Sequence, residues 1–238
     1  MSQDLQIPMT ASELEAFEYF KDDIKVLVDI GCRENFEYSE IKPAVKAYLF
    51  DANEYFINRL NEKVKGKKNI KTFAFGLSNR NEEVQYDDDS ESIQEHRFRK
   101  SNLTTVKIRK FDEVMKECKI LGKIDFLKVD IEGCEPDILE HYDVIKDIKY
   151  VQFEFGRGWA DLDNYNVWSV IEQYSDTHKF YYLKDPNHSI CRESDLDLFT
   201  LIDRDFHDQL HRKLVGGPYG EGGNVWMIKK EIAEELGV

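Results

Sequence analysis

A short apolar run that ends at a glycine is the feature that most narrows the folds open to this sequence. Residues 24–30 read Ile-Lys-Val-Leu-Val-Asp-Ile, and Gly31 follows directly. Runs of this length, stopped by glycine, are typical of buried parallel strands. Strands alternating with helices predict right-handed crossovers, so we expect an α/β protein with a parallel sheet. Similar runs recur, with helical stretches between them, at 45–50, 70–77, 124–130 and 150–155.

The two ends of the chain add an expected helix and an expected strand pair. Residues 10–13, Thr-Ala-Ser-Glu, have the pattern of a capping box, and we expect a helix within 1–23. Two late strands, near 179–183 and 224–228, favour a terminal antiparallel hairpin. A charged, partly helical segment at 191–223 is read as an insertion between them, and 78–102 as a polar hairpin or loop. A length of 238 residues suits a single domain, 1–238.

Charge and composition exclude several classes of protein. The formal net charge is −14, which disfavours a broad surface for nucleic acid. The sequence has no run of ~18 apolar residues and no apolar N-terminal signal region, so we expect no membrane segment and a cytoplasmic protein. None of the four cysteines forms a Cys-x-x-Cys pair, so no structural zinc site is expected.

The first two strands end in residues that suit a nucleoside. Ligands of open α/β sheets bind beyond the carboxyl ends of the strands. Gly31 ends the first strand, and glycine allows backbone N–H groups to approach a ligand closely. Asp51 ends the second strand, 22 positions after Asp29, where an acidic residue can accept both ribose hydroxyls. The alternative is a tight turn in which Asp29 caps backbone amides.

The fourth and fifth main strands end in a cluster of charges. Lys128, Asp130 and Glu132 alternate along the chain, and Glu154 ends the neighbouring strand. One interpretation is an internal ion pair, because buried charges need partners. The other is a cluster that faces a substrate. Asp130 and Glu154 are expected to lie a few Å apart, where two carboxylates can hold Mg²⁺ or share a proton.

Several of these segments together resemble the FkbM family of S-adenosylmethionine-dependent methyltransferases. The most specific is Lys-x-Asp-x-Glu-Gly-x-Glu at 128–135. In place of two glycines of the first turn this chain has Arg33 and Asn35. Arg33 would either salt-bridge the cofactor carboxylate or fold back on Glu34. The matching segments are 28–31, 49–53, 75–78, 106–112, 124–135, 150–154 and 224–226.

The resemblance implies a fold and a set of roles. The fold would be the Rossmann-like class I methyltransferase fold, a seven-stranded, mostly parallel sheet with a C-terminal antiparallel hairpin and helices on both faces. Catalysis would involve Asp130, with Glu132 or Glu154 as second choices and His141 as a weaker candidate. Binding of S-adenosylmethionine would involve Asp29, Gly31, Arg33, Asp51, Asn53, Gly76, Leu77 and Asp130.

The expected reaction is methyl transfer to a hydroxyl of a sugar, a glycan or a small hydroxylated metabolite. The partners would be that acceptor and the cofactor, with no nucleic acid, no membrane and no required metal. The alternatives are a non-catalytic or degenerate S-adenosylmethionine-binding protein and a nucleic-acid methyltransferase. A Rossmann oxidoreductase is disfavoured, because only one glycine of the Gly-x-Gly-x-x-Gly fingerprint is present.

Overall fold

The strands that the apolar runs predict are all present. The computed structural model describes residues 11–87, 103–155, 167–184, 197–209 and 223–237. In chain order the strands in these ranges are β1 (Val26–Ile30), β2 (Lys46–Asp51), β3 (Ile70–Ala74), β4 (Gly76–Ser78), β5 (Glu82–Asp87), β6 (Leu103–Lys110), β7 (Phe126–Val129), β8 (Tyr150–Phe155), β9 (His178–Leu183), β10 (Phe199–Leu201) and β11 (Gly223–Lys229).

Eight of these strands form one mixed sheet, in the order β10-β9-β11-β8-β7-β1-β2-β3. The strands from β8 to β3 are parallel, and Leu27 of β1 lies opposite Ala47 of β2 and Phe126 of β7. β11 is antiparallel to both of its neighbours, β8 and β9. The chain therefore has the Rossmann-like class I methyltransferase fold, as expected, with the reversed strand near its C-terminus.

The sheet has one strand more than the seven expected. β10 pairs antiparallel with β9 at the edge of the sheet, and it belongs to the segment predicted as an insertion at 191–223. Phe199 explains why this short piece is ordered as a strand, because its ring packs against Phe20 at 5.5 Å and Trp226 at 5.9 Å. Residues 185–196 and 210–222 of the same region lie outside the described ranges.

Helices cover both faces of the sheet, as expected. Side chains of β1 point alternately to the two faces of the sheet. Val28 and Ile30 face the core cluster that includes the helices Phe111–Glu117, Pro136–Leu139 and Val167–Tyr174. Leu27 faces the other cluster, which includes the first three helices. No helix in the described ranges is long and apolar enough to cross a membrane. Within the described ranges the labelled α-helices are α1 (Ala11–Phe20), α2 (Glu37–Ile41), α3 (Glu54–Lys63), α4 (Phe111–Glu117), α5 (Pro136–Leu139), α6 (Val167–Tyr174) and α7 (Lys230–Leu236), and residues 204–209 are also helical.

A second sheet of three strands, in the order β4-β6-β5, corrects one prediction and decides between the two interpretations of another segment. The run at 70–77 is not one strand: it breaks after Ala74, and Gly76 begins β4 in the small sheet. Of the two interpretations of the polar segment at 78–102, a hairpin or a loop, the described part supports the hairpin, because β5 pairs antiparallel with β6 and buries Tyr86. β6 is the central strand of this sheet. Residues 88–102 lie outside the described ranges.

Candidate active site

The turn after β1 is pressed between the ends of two neighbouring strands. Gly31 has a φ of 86°, and its N–H donates to the carbonyl of Phe50 in β2 at 2.8 Å. A Cβ added to Gly31 would lie 1.7 Å from the carbonyl oxygen of Asp130. A side chain at Gly31 therefore cannot fit without moving the backbone. This close approach brings the ends of β1, β2 and β7 together around one opening.

Asp51 is held at that opening by backbone amides. One of its carboxylate oxygens accepts a hydrogen bond from Arg33 N and the other from Asn53 N, both at 2.8 Å. Burial raises the pKa of Asp51 to about 6, although these two amides oppose the shift. Each carboxylate oxygen retains a second lone pair, so the fixed group can still accept from a ligand.

Arg33 occupies the left-handed backbone region that a glycine would favour, with a φ of 52°. Its backbone N–H is thereby directed at Asp51, which gives this unexpected residue a structural role. Its guanidinium lies over the ring of Phe56 at 5.7 Å. Glu34 is paired instead with Arg59 and Lys63, both at 2.9 Å. The interpretation in which Arg33 folds back on Glu34 is therefore wrong.

A cleft of about 680 Å³, open to solvent, lies over these strand ends. Its position, beyond the carboxyl ends of β1, β2 and β7, is where open α/β sheets bind ligands. The small sheet contributes one wall through Tyr86 and Ile108, which the sequence analysis did not single out. The lining residues are Ile30, Gly31, Arg33, Phe50, Asp51, Ala52, Gly76, Leu77, Tyr86, Ile108, Asp130, Ile131 and Glu132.

Asp29 lies beneath the cleft rather than on its surface. Its side chain is 1% exposed, and its Oδ1 has no hydrogen-bond partner among the described residues. Burial raises the pKa of Asp29 to about 7, although the positive charge of Lys128 opposes the shift. Burying an anion without full compensation is costly, so the carboxyl retains its proton to much higher pH than a free aspartic acid.

The end of β7 carries a buried ion pair next to a carboxyl pair. Lys128 Nζ lies 2.9 Å from Asp130 Oδ2, and Lys128 is 5% exposed. Burial alone would raise the pKa of Asp130, but the charge and hydrogen bond of Lys128 hold it below its ordinary value. Burial and then the charge of Asp130 raise the pKa of Glu154, which donates a hydrogen bond to Asp130. The interpretation as an internal ion pair is therefore confirmed. Asp130 also lines the cleft, and a substrate-facing role of the cluster stays a prediction.

Glu135 closes the loop that follows β7, a role that sequence reasoning missed. Its carboxylate accepts from Ile131 N at 2.8 Å and from Gly133 N at 2.9 Å. Burial raises the pKa of Glu135 to about 7, although the backbone donors oppose the shift. The loop holds Glu132 at a φ of 57°, at the lip of the cleft. In the sequence, Glu135 lies one residue before a proline that begins a helix, and this position was the available signal for its role.

The remaining predicted residues are divided between the cleft and its surroundings. Gly76 and Leu77 line the cleft. Asn53 instead caps α3, where its Oδ1 accepts from Tyr55 N at 2.9 Å, and it does not line the cleft. His141 lies 3.2 Å from Asn79 Nδ2, outside the lining residues. The assignment of Asn53 as a cofactor ligand therefore stays a prediction. Asn53 contacts the site through its backbone N–H, which donates to Asp51.

Asp130, Glu132 and Glu154 each offer a carboxylate oxygen within 4.8 Å of the other two. Such spacing would suit a divalent cation. It equally suits acids that share a proton, and the raised pKa of Glu154 beside Asp130 indicates proton sharing. We therefore assign no metal to this group.

Comparison with known proteins gives a family match over most of the chain. The model of the methyltransferase FkbM domain matches residues 22–185. This range contains every residue named above as a candidate for catalysis or cofactor binding, and the small sheet as well. No curated protein matches the sequence.

Several solved structures are similar in fold at low sequence identity. A dimethyladenosine transferase from Plasmodium falciparum is 13% identical, covers 96% of this chain and 64% of its own, and has a TM-score of 0.44. An FkbM methyltransferase from Methylobacillus flagellatus KT is 12% identical over 86% of this chain and 44% of its own, with a TM-score of 0.46. An rRNA methylase from Streptococcus thermophilus is 10% identical, covers 95% of this chain and 99% of its own, and has a TM-score of 0.48. The chain thus spans less than two thirds of the first two.

Proposed function

Because this chain belongs to the methyltransferase FkbM domain family, we propose that it transfers the methyl group of S-adenosylmethionine to a hydroxyl of a sugar, a glycan or a small hydroxylated metabolite. Membership of the family implies a methyltransferase that uses S-adenosylmethionine. The observation that carries the finer proposal is one cleft lined both by a fixed carboxylate, Asp51, and by the carboxylates of Asp130 and Glu132. A nucleoside cofactor needs a fixed carboxylate to accept from its ribose hydroxyls, and a hydroxyl acceptor needs a carboxylate that can take its proton.

The residues at the cleft fit the cofactor. Asp51, fixed by two amides, would accept from the ribose hydroxyls. Leu77 and Ile108 offer an apolar wall for the adenine, and the turn at Gly31 would border the methionine end. When bound, S-adenosylmethionine supplies a methyl group already activated on a sulfonium, so the protein mainly has to position the acceptor.

The carboxylates near β7 would receive the proton that the acceptor loses. A hydroxyl oxygen becomes strongly acidic as it acquires a methyl group, so a carboxylate of low pKa can take its proton. Asp130 is held ionised by Lys128 and is our first choice as the base. Glu154 retains its own proton and donates to Asp130, which keeps that carboxylate in place. Glu132, at the lip, is the second candidate to contact the acceptor.

Electrostatics support a neutral hydroxylated acceptor over a nucleic acid. The chain carries a net charge of −14, and acidic residues border the described cleft. A phosphate backbone would be repelled there. The alternative of a non-catalytic binding protein predicts cofactor affinity without methyl transfer to any hydroxylated compound.

Calorimetric titration with S-adenosylhomocysteine tests the cofactor site. We expect binding by the wild-type protein and at least about tenfold weaker binding by Asp51→Ala, because a hydrogen bond to a charged group is worth about 1.5–3 kcal/mol. Asp176→Ala, which removes an exposed aspartate outside the site, is the matched control. Absence of heat with the wild type would overturn the cofactor assignment. Equal affinity for Asp51→Ala would overturn the ribose contact.

Methyl transfer itself is tested with radiolabelled S-adenosylmethionine and a panel of sugars, glycans and hydroxylated metabolites. We expect label in an O-methyl product, identified by NMR of the methyl group. Asp130→Asn should lower kcat by about 10²-fold or more, because general base catalysis typically contributes 10²–10⁴. Transfer to a nitrogen, or to RNA in preference to every hydroxylated compound, would overturn the proposed acceptor class.

A further inference from the structure

The first helix places a carboxylate against the buried lysine of the site. Glu13 belongs to α1 and therefore lies outside residues 22–185, which the family model matches. Its Oε1 is 3.6 Å from Lys128 Nζ, and the side chains of Glu13 and Lys128 are each 6% exposed. Lys128 thus lies between Glu13 on one side and Asp130, at 2.9 Å, on the other.

Glu13 is fixed in this position by the strand next to β7. Gln152 of β8 donates from Nε2 to Glu13 Oε1 at 2.6 Å and also contacts Asn224 Oδ1 at 3.2 Å. The other side of the same amide accepts from Tyr38 OH at 2.8 Å. The carboxylate of Glu13 is therefore part of an ordered buried network and not a surface group that happens to lie near a lysine.

We propose that Glu13 is a positioning residue that sets the proton content of the Asp130–Glu154 pair by sharing the charge of Lys128. The importance of this control for methyl transfer rests on the function proposed above. The control itself concerns only the buried side chains of this chain. The proposal gives α1, which lies outside residues 22–185, a part in the site.

The physical reason is that one ammonium serves two anions. Burial opposes the charge of Lys128, and Asp130, Glu13 and then Asp29 compensate for it. If Glu13 lost its charge, the ammonium of Lys128 would no longer be drawn toward Glu13 and would settle closer to Asp130, so the pair would lose its shared proton at lower pH. The other titratable groups that face the pair are Asp29 of β1, Arg33 after β1, Tyr38 of α2, Asp51 of β2, and Glu132 and Glu135 after β7.

Glu13 does not rank among the charges that act most strongly on either member of the pair. The foremost influences on Asp130 are its burial, Lys128, Glu154 and Arg33. Those on Glu154 are its burial, Asp130, Glu132 and Glu135. Of the groups on which Glu13 acts, Lys128 is the one that directly contacts Asp130, so the effect of Glu13 on the pair should pass through that lysine.

Carbon-13 NMR of labelled carboxyl groups tests the proposal without a methyl acceptor. We expect Glu13→Gln, which preserves shape and removes charge, to lower the pH at which the Asp130–Glu154 pair loses its shared proton by on the order of one unit. The control is Glu15→Gln, an identical change on the exposed face of the same helix. It should leave the titration of the pair unchanged. An unchanged titration in a folded Glu13→Gln protein would overturn the proposal.

Two further variants separate charge from packing and from direct effects. Glu13→Asp retains the charge and should titrate close to the wild type, whereas a shift as large as that of Glu13→Gln would overturn the proposal. In a Lys128→Met background, Glu13→Gln should no longer shift the titration, and a persistent shift would show that Glu13 does not act through Lys128. If Glu13→Gln does not fold, Glu13→Met removes the same charge and should give the same shift, and an unchanged titration in that variant would overturn the proposal.

Failure of this inference is distinguishable from failure of the proposed function. Binding of S-adenosylhomocysteine by the wild type reports on the cofactor site, whereas the carboxyl titration is measured without any ligand. A normal titration shift with no cofactor binding would refute the function alone. Cofactor binding with no shift would refute the role of Glu13 alone.

Discussion

The two halves of the candidate site fix their functional groups by different means. On the side of β1 and β2, backbone atoms set the geometry: Gly31 has no room for a Cβ beside the carbonyl of Asp130, and Asp51 is held by two amides. On the side of β7 and β8, charged side chains hold one another: the buried Lys128 pairs with the partly exposed Asp130, which lies next to Glu154. The first half should therefore be sensitive to shape and the second to charge and pH.

The strongest test of the shape-dependent half is Gly31→Ala. A Cβ 1.7 Å from the carbonyl oxygen of Asp130 cannot be relieved by a rotamer change, so we expect a loss of ~4 kcal/mol or more in the free energy of unfolding. Gly66→Ala is the matched control, because Gly66 has the same φ of 86° but no atom within 4 Å of an added Cβ. It should cost only about 1 kcal/mol. Equal losses in chemical denaturation would mean that backbone strain, not contact with β7, governs Gly31.

The charge-dependent half is tested by Lys128→Met, which retains the bulk of the side chain. Removing one partner of a buried ion pair should lower the free energy of unfolding by about 3 kcal/mol at pH 7. Lys128 depresses the folded-state pKa of Asp130, so this stabilisation is present above the unfolded pKa and is lost as the pH falls through the folded one. The difference between variant and wild type should shrink toward pH 3. A pH-independent difference would indicate that packing, not charge, explains the loss.

Asp29 lies at the border of the two halves and has the opposite pH dependence. Its folded-state pKa of about 7 lies above the unfolded value of 3.8, so ionisation destabilises the fold as the pH rises between them. The neutral variant Asp29→Asn escapes this loss. Relative to the wild type, we expect it to gain about 2 kcal/mol of stability between pH 5 and pH 8. Urea denaturation at pH 5 and at pH 8 measures the free energy of unfolding of both proteins. If Asp29→Asn shows no relative gain, Asp29 is already ionised in the folded protein at pH 5.

Asn53→Ala should have the smallest effect and refines the boundary of the shape-dependent half. Loss of the cap on α3 should cost about 1 kcal/mol of stability. The backbone N–H of Asn53, which contacts Asp51, is retained in this variant, so the affinity for S-adenosylhomocysteine should change little. A thermal melt and a calorimetric titration measure the two effects. A large loss of affinity at unchanged stability would identify the Asn53 side chain as a cofactor ligand.

The parts of the fold that depend on periodicity could be predicted from the sequence. The parallel strands and their end residues follow from apolar runs that a buried sheet requires, and Asp51 and Asp130 line the cleft as expected from their positions. The segment that contains β5 was left open between a hairpin and a loop because the outward side chains of β5 are polar, and that masks a strand whose inward Tyr86 is buried. β10 was missed because three residues are too few to show a period.

Contacts between segments distant in sequence could not be predicted in this way. Glu13 approaches Lys128 across more than a hundred positions, and only the packing of α1 on the sheet brings them together. Arg33 was read as a departure from the glycine pattern, since no sequence signal showed that its left-handed backbone directs an N–H at Asp51. In each case the decisive information is which distant residue is contacted, and the local sequence pattern does not contain it.

The wall that Tyr86 and Ile108 contribute has a consequence for how this protein can diversify. These residues belong to the three-stranded sheet, and within the described ranges its strands pair with one another and not with strands of the eight-stranded sheet. Substitutions or length changes in that hairpin can therefore alter the outline of the cleft without shifting the register of β1, β2 and β7. The scaffold that aligns the reacting groups and the wall that shapes the opening are thus open to separate mutation, so an engineer could graft a new hairpin onto an unaltered catalytic frame.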